Sequence, residues 1–345
     1  MVVDGSALAA PNAGMGTYTR EILESLGARA RFTVYGPGHR EIPRMRLLGR
    51  HLFWPRRIRR LAPDLFFGPM GQLPLGRIGA SSVLTIHDLA IYIRPEWFPP
   101  GQPLSTRLVV PRSIERATRL IAVSHNTARD IARIFDRSPD EITVIHEGVG
   151  RAFHPIPVEE LEAVRARYEL PERFVLFVGT IEPRKNLRLL LQAWTEVPDR
   201  PPLVIAGPWG WRFEGVRDDV QRLGHGIQLL GGVPPADLPA LYNLATLLAH
   251  PALYEGFGLT PLESMACGTP VVSSNAASLP EVVGDAGLLV DPQDGPGWTA
   301  AIDRVLHDPG LASDLRRRGI LRAAEFTWEK AAARTWRVLE ATAAL

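Results

Sequence analysis

Residues 250–273 read His250-Pro-Ala-Leu-Tyr-Glu-Gly-Phe-Gly-Leu-Thr-Pro-Leu-Glu-Ser-Met-Ala-Cys-Gly-Thr-Pro-Val-Val-Ser273. The apolar run Thr246 to His250 predicts a strand, and Gly256 and Gly258 predict a tight loop after it. Thr260 then has the features of an N-cap, Pro261 suits a first helical turn, and Glu263 would complete a Thr-x-x-Glu capping box. The helix is expected to end at Cys267 with Gly268 as its stop, and Val271 to Ser273 to form a second strand. Strand, glycine loop, helix and strand in this order place a helix N-terminus above the C-terminal edge of a parallel sheet. Its unpaired N–H groups and positive dipole end make that place suited to phosphate.

Glu255 and Glu263 bracket the loop and the first helical turn. Taken singly, Glu263 reads as a capping glutamate and Glu255 as a solvated loop charge or a functional one. Taken together, with glycines that allow close backbone approach, they could hold a sugar at one end and a ribose at the other, with a diphosphate between. Glu255-Gly-Phe-Gly-Leu-Thr-Pro-Leu-Glu263, followed by Ala-Cys-Gly-Thr-Pro-Val-Val, resembles the family-4 retaining glycosyltransferases, sugar-nucleotide enzymes of the GT-B fold. The likeness extends to Gly179-Thr-Ile-Glu-Pro-Arg-Lys-Asn186 and, more loosely, over most of the chain.

The length, 345 residues, suits two domains, and the composition, 46% apolar with 22% charged, is that of a globular chain. Basic and acidic residues nearly balance at a net +2, so nothing global points to a polyanion partner, and nucleic acid is not expected. One cysteine, Cys267, excludes an internal disulfide and is consistent with a reducing cytoplasm. Its apolar context reads as core packing. No secretory signal pattern opens the sequence, and no apolar run reaches the roughly 18 residues of a spanning helix.

In chain order, strands are expected at Val2 to Asp4, Arg31 to Tyr35, Asp64 to Phe67, Ser82 to His87, Leu120 to Val123 and Ile142 to Ile145. Gly14-Met-Gly16 opens a helix through Leu26 that turns Tyr18, Ile22, Leu23 and Leu26 to one face. Leu104 to Ala117 reads as a helix bent at Pro111. Ser124 caps a helix to Phe135, and Gly150 to Pro157 reads as a linker. A second series of strands follows: Phe174 to Val178, Leu203 to Ala206, Ile227 to Leu230, Thr246 to Ala249, Pro270 to Ser273 and Gly287 to Val290. Helical patterns fall between them, which predicts a parallel sheet covered on both faces. Helices near 296–307, 310–324 and 328–343 close the chain. The expected α/β architecture is GT-B, two Rossmann-like doubly wound domains facing across a cleft. The boundaries are 1–155 on the acceptor side, 156–327 for the sugar nucleotide, and 328–345 as a helix crossing back to the first domain.

Residues 40–60 carry eight arginines against the single acid Glu41, interleaved with Met45, Leu47, Leu48, Phe53, Trp54 and Ile58. Two readings stand: contact with an anionic membrane or a lipid-linked acceptor's phosphates, or a solvated basic helix with its apolar face inward. The loop Arg94-Pro-Glu-Trp-Phe-Pro-Pro100 is either an acceptor lip or a proline-stiffened turn.

The resemblance implies roles by position. His87, at a strand end, approaches the donor sugar, with Asp88 beside it; a lone histidine there is otherwise more often structural. By its own place at a helix start, and not through the resemblance, His125 could meet an acceptor, and a polar surface position explains it equally well. Gly16 lies in a glycine loop facing the donor, and Val233 borders the base. The backbone from Phe257 through Gly258 and Leu259 receives the diphosphate, Glu255 holds sugar hydroxyls and Glu263 the ribose. Arg184 and Lys185, beside another helix start, neutralise the leaving group. Thr180 stands where the family often has an arginine, which leaves open whether Arg184 supplies that charge. No Asp-x-Asp and no ligand-spaced His/Cys cluster appears, so no metal and no cofactor is expected. The expected donor is GDP-mannose. The expected acceptor is a glycan, a lipid-linked sugar or a small molecule. The expected location is the cytoplasm, with peripheral membrane contact through 40–60. A nucleotide-sugar epimerase or hydrolase, or a non-catalytic scaffold, are the alternatives. A nicotinamide dehydrogenase is disfavoured, because neither first strand is followed by Gly-x-Gly-x-x-Gly.

Overall fold

The structure is a computed structural model that describes residues 1–9, 14–27, 32–35, 51 and 53–345. The chain divides into two compact units. The first contains residues 1–89, 100–148 and 327–345; the second contains 90–99 and 149–326. The passage into the second unit therefore falls after Gly148, at the start of the expected linker, and 90–99 is an excursion that no composition shift announced.

The first unit holds strands β1 (Val2–Asp4), β2 (Thr33–Tyr35), β3 (Leu65–Gly68), β4 (Ser81–Ile86), β5 (Arg119–Ala122) and β6 (Ile142–Val144). All neighbours are parallel, in the order β2-β1-β3-β4-β5-β6. β3 is buried along its whole length and β4 along all but its first residue, which is why they read as continuous apolar runs without alternation. Helix Gly14–Leu26 buries Tyr18, Ile22 and Leu26 at four-residue spacing. They pack with Phe67, Trp328 and Leu339 in one core. Trp328 and Leu339 belong to the terminal helix Trp328–Ala343, whose start is capped by Thr327 Oγ accepting from Lys330 N at 3.2 Å. Gly148 is where this helix start comes closest to the chain. A Cβ there would lie 2.3 Å from Trp328 N, so only glycine fits.

The second unit holds β7 (Val175–Val178), β8 (Leu203–Ala206), β9 (Ile227–Gly231), β10 (Leu247–His250), β11 (Val271–Ser274) and β12 (Leu288–Val290). Their order, β12-β11-β10-β7-β8-β9, is also all parallel. This is the dinucleotide-fold order, with its reversal between β7 and β10, and crevices outside strand C-termini at such a reversal are where open α/β sheets bind ligands. Phe177, Trp194, Ile205, Trp298 and Ile302 fill the core beneath.

Two local expectations change. The capping box does not form. Helix Leu259–Ala266 starts one residue before Thr260, with Gly258 at the N-cap (φ 121°) and no side-chain cap. Thr260 is thus already inside the first turn, where its side chain cannot cap. The helix expected from Leu104 is a wide turn, Ser105–Val109 with i to i+5 bonding, that passes into an α-helix at Val110–Arg116. Pro111 has no N–H to donate, and the wider turn lies immediately before it.

Candidate active site

The switch between β7 and β10 brings two loops together. After β7 the chain turns at Gly179 (φ +149°), makes a short 3-10 turn at Pro183–Lys185, and enters helix Leu187–Thr195 through Asn186 in left-handed conformation. After β10 it runs through Glu255 and Gly258 into helix Leu259–Ala266. Two side chains tie this second loop down. Asn186 Nδ2 donates to the carbonyls of Pro251 and Pro292 at 3.1 and 2.8 Å. Ser278 Oγ donates to the carbonyls of Glu255 and Phe257 at 2.8 and 2.6 Å. Gly258 is required twice over, since its φ is left-handed and a Cβ would press on Leu279 at 3.0 Å.

Glu255 is the centre of the constellation. Lys185 Nζ donates to its Oε1 at 2.5 Å, Arg184 to its Oε2 at 2.9 Å, and His250 Nε2 lies 3.2 Å from Oε1. Burial alone would raise this carboxyl. The charges of Lys185 and Arg184 outweigh burial and hold it well below the usual carboxylate range. Arg184 also donates to Glu182 Oε1 at 3.1 and 2.8 Å and to the carbonyl of Tyr254 at 2.8 Å. Glu182 is buried, which raises its carboxyl, with Arg184 and Lys185 opposing. The adjacent cations therefore differ: Arg184 is locked between two buried carboxylates, whereas Lys185 lies over Gly179 with one carboxylate partner. Two cations against two carboxylates leave this cluster neutral.

The remaining donor-side residues fall on the same C-terminal edge. Glu263, in the first turns of helix Leu259–Ala266, accepts from Tyr242 Oη at 2.9 Å, and burial pushes its carboxyl up to about 7 against that bond. Leu262 makes the first intrahelical bond, to Gly258 O at 3.3 Å, so Leu259 and Thr260 carry N–H groups without intrahelical partners. Phe257 is buried and lies edge-on to Phe326 at 5.9 Å. Val233 is half-buried just after β9. Cys267 is buried and its thiol pushed up to about 12 by burial first and Glu263 second, which suits packing and not nucleophilic chemistry.

The first-unit residues are placed separately. Gly16 is buried in the first turn of its helix. His87 follows β4, its Nδ1 2.9 Å from Glu147 Oε1 and its Nε2 2.8 Å from Pro69 O. A carbonyl and a carboxylate only accept, so both contacts favour the doubly protonated ring. Burial opposes that charge, but Glu147 and the Pro69 carbonyl hold the imidazole above its usual value. Asp88 is exposed, and His125, at the start of helix His125–Phe135, lies edge-on to His146 at 5.8 Å. In the second unit, residues 94–99 are held by Trp211 Nε1 donating to Trp97 O at 2.8 Å and by Phe98 stacking on Trp211.

Sequence reasoning did not assign Glu147, Tyr242, His250 or Glu182. The last two stood inside the quoted motifs; Glu147 and Tyr242 lie 60 and 21 positions from their partners and carry no local signal.

The sequence matches the model described as glycosyl transferases group 1 over residues 161–322 and that described as glycosyltransferase family 4 over 12–152. It is 37% identical over 297 residues to the O-antigen chain mannosyltransferase B of Escherichia coli, covering 82% of this chain and 77% of that protein. It is 30% identical over 279 residues, 76% of this chain, to the serotype-specific mannosyltransferase WbdA of Escherichia coli, of whose length it spans 33%. Among solved structures, that of Anabaena HepE in complex with UDP-glucose superposes with a TM-score of 0.79 at 18% identity, covering 99% of this chain and 98% of that one. Two six-stranded parallel sheets, both family models and a relative this similar over most of its length agree: the chain belongs to the family-4 glycosyltransferases and has the GT-B fold.

Proposed function

We propose that this glycosyltransferase moves a hexose from a nucleoside-diphosphate sugar to an acceptor hydroxyl with retention of anomeric configuration, with GDP-mannose as donor. The observation that carries the reading is the buried Glu255 carboxylate, held by Lys185 and Arg184 at the β7/β10 switch beside a helix N-terminus. The names of the two mannosyltransferases to which the chain is similar support the choice of sugar. In this reading Lys185 and the N–H groups of Leu259 and Thr260 receive the diphosphate, Glu263 the ribose hydroxyls, and Glu255 the sugar hydroxyls. Val233 borders the base, and Gly16 the donor. His87 serves the sugar, and Asp88 and His125 the acceptor.

The bond from C1 to the diphosphate oxygen breaks as the acceptor oxygen bonds to C1 on the same face. The departing diphosphate oxygen takes the acceptor's proton. Positive character grows on the sugar ring and negative charge on the leaving group. Fixed opposite charges at each end stabilise that distribution more than they stabilise the bound donor. No metal and no separate cofactor enters. The acceptor is a hydroxyl of a glycan, a lipid-linked sugar or a small molecule, and the reading places the enzyme in the cytoplasm.

Incubation of the purified protein with GDP-mannose, UDP-glucose and related donors, with and without a mannoside acceptor, tests this. Mannose transferred from GDP-mannose with the donor's α configuration, read by proton NMR of the product, is expected. A β product overturns retention, preference for another donor overturns GDP-mannose, and sugar release or epimerisation without acceptor overturns transfer.

A further inference from the structure

His250 ends β10, opposite Ser273 in the register, and its side chain is 1% exposed. Every other residue of β10 is aliphatic, so a ring with two polar nitrogens here needs a reason. One nitrogen has one: Nε2 faces Glu255 Oε1 at 3.2 Å. The other, Nδ1, is buried without a hydrogen-bond partner. An apolar residue would fill the same place without leaving a polar atom unpaired.

The charged groups facing the ring are Glu255 from its own loop and Lys185 and Arg184 from the loop after β7. Burial and the two cations keep the imidazole neutral, against the pull of Glu255. In a neutral ring the proton must lie on Nε2, because the carboxylate opposite can only accept. Nδ1 is then the bare nitrogen, the one left without a partner.

Glu255 therefore accepts from three donors, two on Oε1 and one on Oε2. Lys185 is the one with somewhere else to go, since Arg184 is also bound to Glu182 and Tyr254. We propose that His250 is a positioning residue: as the neutral Nε2–H imidazole it holds Glu255 Oε1 in place when Lys185 turns from it to the donor's diphosphate. With His250 on one oxygen and Arg184 on the other, the carboxylate stays aimed at the sugar throughout the exchange. A protonated histidine would add a third cation to the cluster; a neutral one fixes Glu255 without altering the charge the sugar meets. The inference rests on the proposed role of Glu255 at the sugar.

Two measurements on the full chain decide it. Nitrogen-15 NMR of the imidazoles, with His250 assigned by its disappearance in His250→Gln, should show Nε2 protonated and Nδ1 bare from pH 6 to 8. An Nδ1–H tautomer or an imidazolium overturns the proposal. In kinetics with GDP-mannose, His250→Phe keeps ring and size but removes the donor, and should lower kcat at least tenfold with donor KM within twofold. His250→Gln restores an N–H at the same reach and should recover most of that loss. Wild-type turnover in His250→Phe, or His250→Gln as slow as His250→Phe at equal Tm, overturns it. If the wild-type protein transfers sugar from no donor, the proposed function fails, while the tautomer still decides the His250–Glu255 bond.

Discussion

Lys185 and Arg184 are adjacent in sequence and should fail differently when replaced. On the proposed reading Lys185→Ala removes a cation from beside the developing leaving-group charge, so kcat should fall about a hundredfold, roughly 3 kcal/mol in the barrier. Tm should change little, because Glu255 keeps Arg184 and His250. Arg184→Ala instead strands the buried Glu182 and half-frees Glu255, and breaking such a pair is destabilising by roughly 3 to 5 kcal/mol. Thermal melts with steady-state kinetics separate the two, and equal Tm losses would refute the division of labour. Glu263 makes a prediction in pH. Its native value near 7 lies above its ordinary one, so the folded state binds a proton that the unfolded state has lost. That contribution to stability is present at low pH and lost as pH rises through about 7, and Glu263→Gln should flatten the melt-against-pH curve above pH 5. Nucleotide binding runs the other way. If Glu263 receives the ribose as proposed, the diol donates to the ionised carboxylate, so GDP affinity should rise from pH 6 to 8, and Glu263→Gln should remove the rise. A pH-independent Kd for GDP in the wild-type protein would take Glu263 off the ribose. Glu255, Lys185 and Glu263 were legible because their spacing sits within short motifs. Their states were not, since Glu255 owes its ionisation to residues about 70 positions away and Glu263 its elevation to burial that no local pattern encodes.

Most elements were readable from period and punctuation, the terminal helix at 328–343 to the residue. Parallel strands announced themselves as apolar runs, and helices by one buried face. What failed was the start of helix Leu259–Ala266, where Thr260 and Glu263 mimic a capping box while Gly258 performs the turn. Glycine at an N-cap leaves no side-chain signature, so the more conspicuous threonine misled. The arginine-rich stretch is divided likewise. Residues 40–50 and 52 lie outside the described residues; within them, helix Trp54–Leu61 buries Trp54, Pro55 and Ile58. That is the inward face of the plainer reading. Its other side exposes Arg56, Arg57, Arg59 and Arg60, and Phe53 and Leu61 are 58% and 51% exposed at its two ends. Four cations flanked by two apolar side chains have the makeup of a membrane-surface contact, worth about 1 kcal/mol per well-placed charge. Co-sedimentation with phosphatidylglycerol vesicles should therefore exceed that with phosphatidylcholine and weaken at high salt. Replacing the four arginines by glutamine should abolish the difference while sparing Tm. Equal binding to both vesicles would return the helix to a purely packing role.

Across the whole molecule, the chain leaves and re-enters its first unit twice, after Leu89 and after Gly148, with returns at Pro100 and Thr327. The second passage begins just before the stretch read as a linker, Gly150 to Pro157, and the return falls one residue before the terminal helix. The first passage was not legible, because what holds 90–99 in the second unit is Trp211 and Arg212, more than a hundred positions on. Each unit has its own sheet and core, and the proposed nucleotide contacts other than Gly16 lie in the second. Binding should therefore raise the stability of that unit directly. GDP at a hundred times its Kd adds about 2.7 kcal/mol to whatever folded body holds it. Charge decides which ions that binding needs. The cluster of Glu182, Arg184, Lys185 and Glu255 is neutral on its own, so an arriving diphosphate is not met by a standing excess of positive side chains. On the proposed reading its charge is offset by Lys185 turning from Glu255 and by the N-termini of helices Leu187–Thr195 and Leu259–Ala266. All of these belong to the chain, so neither the GDP-induced rise in Tm nor mannosyl transfer should change in EDTA. Differential scanning calorimetry with and without GDP, each in EDTA and in manganese, makes the comparison. A rise that vanishes in EDTA and returns with manganese would mean that a bound cation, and not Lys185 and the helix termini, neutralises the diphosphate.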